Sequence, residues 1–192
     1  AASELKGALS LMKVSDYLTW IAEVVLYHVV DVAFSNLISR HGYPRRADGS
    51  ACDTDFAIIG YGKLGGIELG YTSDLDLVFL YDDPSQDNVE RYLKLARRMT
   101  SWLSAMTSSG RLYDIDLRLR PDGDAGLLAV SVDAFEQYQT RSAWSWEHQA
   151  ITRARFVTGD TQIKQRFDEI RRSILLMERD RRKLRADILD MR

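Results

Sequence analysis

The sequence predicts an α+β fold, a small mixed sheet flanked by helices and followed by a helical C-terminal segment. Three observations predict it. Short apolar runs of strand length cluster in the middle of the chain, around residues 56–59, 75–81, 112–119 and 127–132. Helical periodicity dominates both ends and interrupts the strands once, over residues 86–109. A glycine-dense turn, Gly60-Tyr-Gly-Lys-Leu-Gly-Gly66, joins the first two strand runs and leads to two aspartates. Strands grouped centrally with helices at the ends belong to a mixed α/β or α+β core.

Each element has a local reason. Ser15 caps a helix running to about residue 40, with Leu18, Ile21, Val25, Val29 and Val32 at helical spacing and Gly42 and Pro44 as stop signals. Trp20, Tyr27 and Phe34 lie seven apart in it, a spacing expected of core packing. Residues 43–53 form a polar loop, and residues 56–59 a buried strand that feeds the glycine turn. The strand over 75–81 ends at Asp82-Asp-Pro-Ser. The helix over 86–109 carries Val89, Leu93, Ala96, Met99, Leu103 and Met106 on one face, with Gly110 placed for a left-handed C-terminal cap. A third strand, 112–119, is closed by the turn-rich Pro121-Asp-Gly-Asp-Ala-Gly126, and a fourth follows at 127–132. Helices are then expected over 133–140 and 142–156. A third starts from Asp160 as N-cap, with Ile163, Phe167, Ile170 and Ile174 on one face, and a polar one begins near Glu178.

The 192 residues suffice for one large domain, or one domain with a small appendage. A net charge of −2, from 26 basic and 28 acidic residues, argues against a general nucleic-acid-binding surface. The arginine-rich C-terminal third has acids interspersed and is expected to present solvated helix faces. The single cysteine, Cys52, excludes an internal disulfide and fits a reducing, cytoplasmic compartment. The longest apolar run, residues 24–30, is too short to span a bilayer, and no signal peptide is visible. The chain starts Ala-Ala-Ser-Glu and stops at Asp190-Met-Arg192 within a helical pattern, so a piece of a longer protein is expected.

Asp74 and Asp76 are separated by one residue. On a strand both side chains share a face, about 6.6 Å apart along the backbone. Paired carboxylates suit hard divalent cations, and Mg²⁺ takes one or two carboxylates together with phosphate oxygens. Gly62, Gly65, Gly66 and Gly70 leave room for a phosphate to approach the backbone, and Lys63 adds a positive charge. The order is neither a Walker loop nor a dinucleotide fingerprint, because the turn leads into an aspartate-bearing strand rather than a long helix. Asp114 and Asp116 again alternate, followed by Arg118 and Arg120. If this strand lies beside the 75–81 strand, one of the two aspartates joins Asp74 and Asp76. Three carboxylates can hold two cations about 3.5–4 Å apart, an arrangement suited to in-line displacement at phosphorus. The arginines then either neutralise phosphates or pair with the neighbouring aspartates.

These residues resemble the nucleotidyltransferase superfamily that includes DNA polymerase β, with Gly65-Gly66 as its glycine turn, Asp74 and Asp76 as its Asp-x-Asp strand, and Asp116 as the later acid. A closer resemblance is to bacterial glutamine-synthetase adenylyltransferases. It is carried by Gly60-Tyr-Gly-Lys-Leu-Gly-Gly through Ser73-Asp-Leu-Asp-Leu77, by Asp116-Leu-Arg-Leu-Arg-Pro121, and by Trp146-Glu-His-Gln-Ala150 with Thr152-Arg-Ala-Arg155. That family is bifunctional. Gly70-Tyr71 and Trp-Glu-His-Gln are more similar to its C-terminal, adenylylating half than to its phosphorolytic half.

The resemblance implies a polymerase-β-like domain over residues 1–157 and the start of a helical domain over 158–192. It implies ATP as substrate, Mg²⁺ on Asp74, Asp76 and Asp116, and triphosphate contacts from Gly65, Gly66, Ser73, Lys63, Arg118 and Arg120. AMP would pass to a tyrosine hydroxyl of glutamine synthetase, with glutamine and a P-II signalling protein as effectors of the full-length protein, and without nucleic-acid or membrane partners. Glu147, Arg153 and Arg155 are expected to form ion pairs that hold the helical flank to the sheet, and Trp144 and Trp146 to pack rather than stack on a base. Two alternatives stay open: removal of AMP by phosphate on the same fold, and a catalytically silent regulatory module.

Overall fold

The computed structural model describes residues 7, 9–43, 54–82, 86–179, 185, 187 and 189. Helix α1 (Leu11–His41) leads to β1 (Phe56–Gly60), the short α2 (Gly62–Gly65), β2 (Leu75–Tyr81) and α3 (Gln86–Ser104). A two-strand hairpin, β3 (Met106–Thr107) with β4 (Gly110–Arg111), precedes β5 (Ile115–Asp116), a 3₁₀ turn at Gly123–Ala125 and β6 (Ala129–Ser131). Helices α4 (Val132–Arg141) and α5 (Ser145–Ile151), strand β7 (Arg155–Gly159) and helix α6 (Thr161–Leu176) complete the described elements.

The main sheet is mixed. β1 runs antiparallel to both β2 and β7, while β5 and β6 pair parallel with β2. β5 pairs with the first residues of β2 and β6 with the last, so one edge of β2 is shared by two short strands in succession.

Strand alternation sorts the core into two layers. Phe56 and Ile58 of β1 and Leu75, Leu77, Phe79 and Tyr81 of β2 face α1 and α3. Ala57, Ile59, Val78 and Leu80 face the opposite way, toward Phe135 of α4, Ile151 of α5 and Ile163, Phe167, Ile170 and Ile174 of α6. Leu95, Met99 and Leu103 sit four apart on α3 and are fully buried. Truncating a Leu or Met in such a position costs about 2–5 kcal/mol. Tyr92 stacks on Tyr81 with ring centroids 4.8 Å apart and tightens the same layer. Asp160 caps α6 as expected, accepting the N–H groups of Gln162 and Ile163. The point between residues 157 and 158 falls inside β7.

Several expectations are corrected. Helix α1 begins at Leu11, with Ser10 rather than Ser15 as its cap. Its buried face is Ala22, Leu26, Val30, Ala33, Phe34 and Leu37, whereas Ile21 and Val32 are 56% and 47% exposed. Trp20 and Tyr27 are exposed too, so only Phe34 of the heptad-spaced aromatics enters the core. Apolar residues surround nearly the whole helix, and periodicity alone leaves its rotation open. The small side chains of Ala22 and Ala33 let the helix approach its neighbours closely. In length and composition α1 also meets the requirement for a bilayer span, unlike the short run considered from sequence.

Helix α3 ends at Ser104 rather than 109, and Gly110, with φ 104°, serves the β3–β4 hairpin instead of a helix cap. The predicted strand over 112–119 contracts to Ile115–Asp116, because the chain turns where the Arg120 N–H donates to the Leu117 carbonyl. The predicted helix over 142–156 stops at Ile151. Phe156 and Thr158 pair with the edge of β1 instead, with Val157 as the extra residue of a bulge, where aromatic and β-branched side chains fit a half-buried pleat. Trp144 and Trp146 are exposed, against the expectation of packing. Cys52 and most of the helix expected from Glu178 lie outside the described residues.

Candidate active site

β2 positions the first two carboxylates. Asp76 has the parity of Val78 and Leu80, so it lies on the face covered by α4, α5 and α6, at an end of the strand those helices leave open. Asp74 precedes the strand by one residue and shares that parity. The third carboxylate comes from register: Leu75 pairs with Ile115 and Asp76 with Asp116. Side chains paired across a ladder project from the same face. One carboxylate oxygen from each of Asp74, Asp76 and Asp116 lies within 4.8 Å of the others. Of the two aspartates left open by alternation, the structure selects Asp116. Asp114 lies outside this trio and pairs with Arg111, though it also lines the groove beside them.

The cluster carries excess negative charge. Burial, together with the charges of Asp74 and Asp116, pushes the Asp76 carboxyl above the ordinary carboxylate range, and Lys63 only partly opposes this. Asp116 moves the other way, because Arg118 hydrogen-bonds it. The Arg118 Nε donates to both carboxylate oxygens, at 3.1 and 2.9 Å, and its backbone N–H to one of them at 2.8 Å. The Arg118 Nη2 donates to Oδ2 as well, so these contacts occupy the carboxylate's roughly four lone-pair sites, and the fork must open for Asp116 to ligate a cation. Three hard oxygen donors with a charge surplus fit a divalent cation. An open groove of about 460 Å³ runs alongside, lined by Asp74, Asp116, Leu117, Arg118, Arg120 and Leu128 among others.

The glycine turn is packed against this cluster. Gly62 has φ 52°, and a Cβ there would overlap the Asp76 Oδ2. A Cβ at Gly65 would overlap the Arg153 carbonyl oxygen. The N–H groups of Gly65 and Gly66 donate to the carbonyls of Tyr61 and Gly62, so these glycines serve close packing within the turn. Ile67 holds φ 58°, a left-handed conformation unusual for a β-branched residue. Backbone of this kind concentrates at ligand-binding turns. Ser73 is held by a tight turn in which its Oγ accepts the Gly70 N–H at 2.9 Å. Lys63 is exposed on α2, close enough to act on Asp76 electrostatically.

The arginines divide. Arg118 is exposed at the groove. Arg120 is 6% exposed, and its Nη1 donates to the Leu117 carbonyl at 2.6 Å, binding the loop to itself.

The sequence model described as glutamate-ammonia ligase adenylyltransferase (GlnE) matches residues 1–170. The chain belongs to that family. A Pseudomonas putida relative is 49% identical over 201 residues, which cover all of this chain and 21% of the relative. A Bordetella bronchiseptica relative is 54% identical over 191 residues, covering all of this chain and 19% of its own length. A Thioalkalivibrio sulfidiphilus relative is 52% identical over 203 residues, with 100% and 21% coverage. All three are named bifunctional glutamine synthetase adenylyltransferase/adenylyl-removing enzyme, and this chain spans about a fifth of their length.

Within this GlnE-family chain, the third sequence motif proves to brace the glycine turn. Arg153 pairs with Glu68. Arg155 pairs with Glu23 of α1 and donates to the Leu64 and Gly65 carbonyls, at 3.0 and 3.1 Å. The two arginines form ion pairs as expected, but these tie the turn to α1 and β7, and Glu147 forms no ion pair among the described residues. Glu147 is buried at the start of α5, accepting the Trp144 N–H at 2.8 Å and the Tyr138 hydroxyl at 3.0 Å. Burial and this carboxylate push the Tyr138 hydroxyl up to about 12. The role of Gly62 against Asp76 was missed at the sequence level; its only signal was a glycine two residues into the turn.

Affinity for a divalent cation is expected to fall as pH is lowered, beginning above the ordinary carboxylate range, because burial and the neighbouring carboxylates raise the range in which Asp76 takes up a proton. In the metal-free chain the two aspartates act oppositely. Asp76 lowers stability as pH rises through its raised folded value. The Asp116 pairing adds stability above the unfolded carboxylate value and loses it as pH falls through the lowered folded one. Mn²⁺ titrations across this range check the affinity; a pH-independent affinity would overturn the assignment of Asp76 as ligand.

Proposed function

We propose that this chain is the adenylylating unit of a glutamine-synthetase adenylyltransferase, moving AMP from ATP to a tyrosine hydroxyl of glutamine synthetase. The observation that carries the proposal is the juxtaposition of Asp74, Asp76 and Asp116 beside the glycine turn, in a chain of this family. We take residues 1–157 as the nucleotidyltransferase domain and 158–192 as the start of a helical domain, the end of β7 and helix α6 joining it to the sheet.

Asp74, Asp76 and Asp116 would hold Mg²⁺, which supplies charge neutralisation at the phosphates and lowers the cost of forming an alkoxide-like nucleophile. The turn of Gly65 and Gly66, held compact by its own hydrogen bonds, and Ser73 would line the triphosphate, and Lys63 and Arg118 would supply cations to it. Arg120 shapes the loop that carries Arg118. Asp116, kept ionised by Arg118, favours loss of the tyrosine proton. The tyrosine oxygen forms a bond to the α-phosphorus as the bond from that phosphorus to the oxygen bridging the β-phosphate breaks, and pyrophosphate leaves. In the full-length protein, in the bacterial cytoplasm, glutamine and a P-II signalling protein would adjust the rate. Neither nucleic acid nor membrane takes part.

Incubating the chain with unmodified glutamine synthetase, α-labelled ATP and Mg²⁺ should label the synthetase, and Asp74→Asn should abolish the labelling. A parallel incubation of adenylylated synthetase with phosphate should yield no ADP. Label absent from the first and ADP present in the second would overturn the proposal in favour of phosphorolysis; neither product would make the chain a silent module.

A further inference from the structure

A second cavity, of about 320 Å³, lies between the last turns of α1 and the middle of α3, and shares no lining residue with the acidic groove. Its floor is apolar, built from Ala33, Leu37 and Leu95. Its rim is cationic, with Arg40 and His41 from α1 and Lys94, Arg97 and Arg98 from α3. Arg91 donates to the Gly42 carbonyl at 3.4 Å and ties the two helices together at one end.

A solvated basic face is the plain explanation, and three facts weigh against it. First, five arginines elsewhere in this chain find carboxylates, Arg111, Arg118, Arg153, Arg155 and Arg166, while among the described residues Arg141 and Arg172 stand alone on exposed helix surface rather than gathered at a cavity. At this rim Arg40, His41 and Arg97 have neither an ion pair nor a hydrogen bond among the described residues. Acidic residues are not scarce, since the chain has 28 of them against 26 Lys and Arg. Second, a helix C-terminus favours cations, which accounts for Arg40 and His41. On α3, Lys94 pairs with Glu90 and Arg98 lies over the Trp102 ring, but neither contact accounts for Arg97, which sits beside both cations. Third, the cations surround a buried apolar floor and a cavity whose size falls within the range of about 300–1,000 Å³ usual for small-ligand pockets.

We propose that this pocket binds a small organic anion, a compact apolar body bearing a phosphate or paired carboxylate oxygens. The apolar body rests on Ala33, Leu37 and Leu95, and the anionic oxygens meet Arg40 and Arg97. Arginine suits such oxygens because its planar fork makes two parallel hydrogen bonds. The proposal is independent of the transfer reaction assigned to the acidic groove.

Phenyl phosphate is a suitable probe, titrated into the methyl-labelled chain with the methyl signals of Ala33, Leu37 and Leu95 followed by NMR. These signals should shift and saturate. Inorganic phosphate, lacking the apolar body, and phenol, lacking the charge, should each bind at least about tenfold more weakly. Arg40→Glu with Arg97→Glu should weaken phenyl phosphate at least about tenfold, and Arg40→Lys with Arg97→Lys should stay within about threefold. Both positions are exposed, so the folds should be intact by circular dichroism; if charge reversal unfolds the chain, Arg40→Gln with Arg97→Gln replaces it. Methyl signals that do not move would overturn the proposal. So would equal binding by the charge-reversed variant, or inorganic phosphate binding as tightly as phenyl phosphate.

Discussion

Asp76→Asn should raise the melting temperature of the metal-free chain by about 2–4 °C, the shift that roughly 1 kcal/mol gives in a chain of this size. The same change should cost at least about 10²–10³ in nucleotidyl transfer, the scale of losing one charge-stabilising group at a reacting phosphate. Opposite signs follow from one cause. Asp76 is partly buried and faces Asp74 and Asp116, so its ionised form is disfavoured until a cation arrives. Asparagine keeps the shape and removes the repulsion, and with it a ligand oxygen that carries charge. Solvent screening keeps the stability gain modest. Thermal denaturation with and without Mg²⁺ reads both effects: the variant should melt higher without metal and lose the metal-induced increment. A lower melting temperature in the metal-free variant would mean that Asp76 is net stabilising and that the cluster is held by interactions other than a missing cation.

Gly62→Ala should lower the melting temperature by about 2–8 °C and remove the Mg²⁺-induced increment, although position 62 is not itself a ligand. Two costs combine. A side chain in the left-handed region costs about 1–2 kcal/mol, and Gly62 has φ 52°. The new Cβ would also overlap the Asp76 Oδ2, so the carboxylate must rotate out of the cluster. Gly66→Ala is the control, because Gly66 has φ −83° and its added Cβ meets only the guanidinium of Arg153, the far end of a flexible side chain. Its melting temperature should change by no more than about 2 °C, with the metal increment retained. A Gly62→Ala variant that keeps the full metal increment would show that Asp76 has another usable rotamer and that the glycine is there for the turn alone.

Local pattern made part of this site legible and tertiary packing hid the rest. Asp74 and Asp76 could be placed on one face because strand parity is a property of two neighbouring residues. The third carboxylate was harder: alternation allowed Asp114 or Asp116, and only the parallel register of β5 on β2 distinguishes them. Arg120 continues that alternation and does line the groove, but the strand ends at Asp116 and the turn buries the side chain, which bonds the Leu117 carbonyl instead of standing free. β7 was misread for a related reason. Residues 142–156 carry a helical pattern, and pairing with the open edge of β1 outweighs it from Arg155 onward. The rotation of α1 could not be read at all, since apolar residues lie nearly all round it and shape complementarity selects the face. Family resemblance located the third motif correctly, while its physical task, bracing Leu64 and Gly65 through Arg155, required the fold.

The two carboxylate-bearing strands are held very differently. Asp76 belongs to a seven-residue strand paired on both sides and Asp74 immediately precedes it, whereas Asp116 stands on a ladder of two residues at the margin. Short marginal ladders open at a small fraction of the global unfolding free energy, while central strands open only with the whole domain. Amide hydrogens at Ile115 and Asp116 therefore exchange early and those of β2 late. The third ligand can depart and return by fraying, with the other two held in place. The trio is a fixed pair and a hinged member, and an incoming substrate that bridges them closes the ladder as it binds.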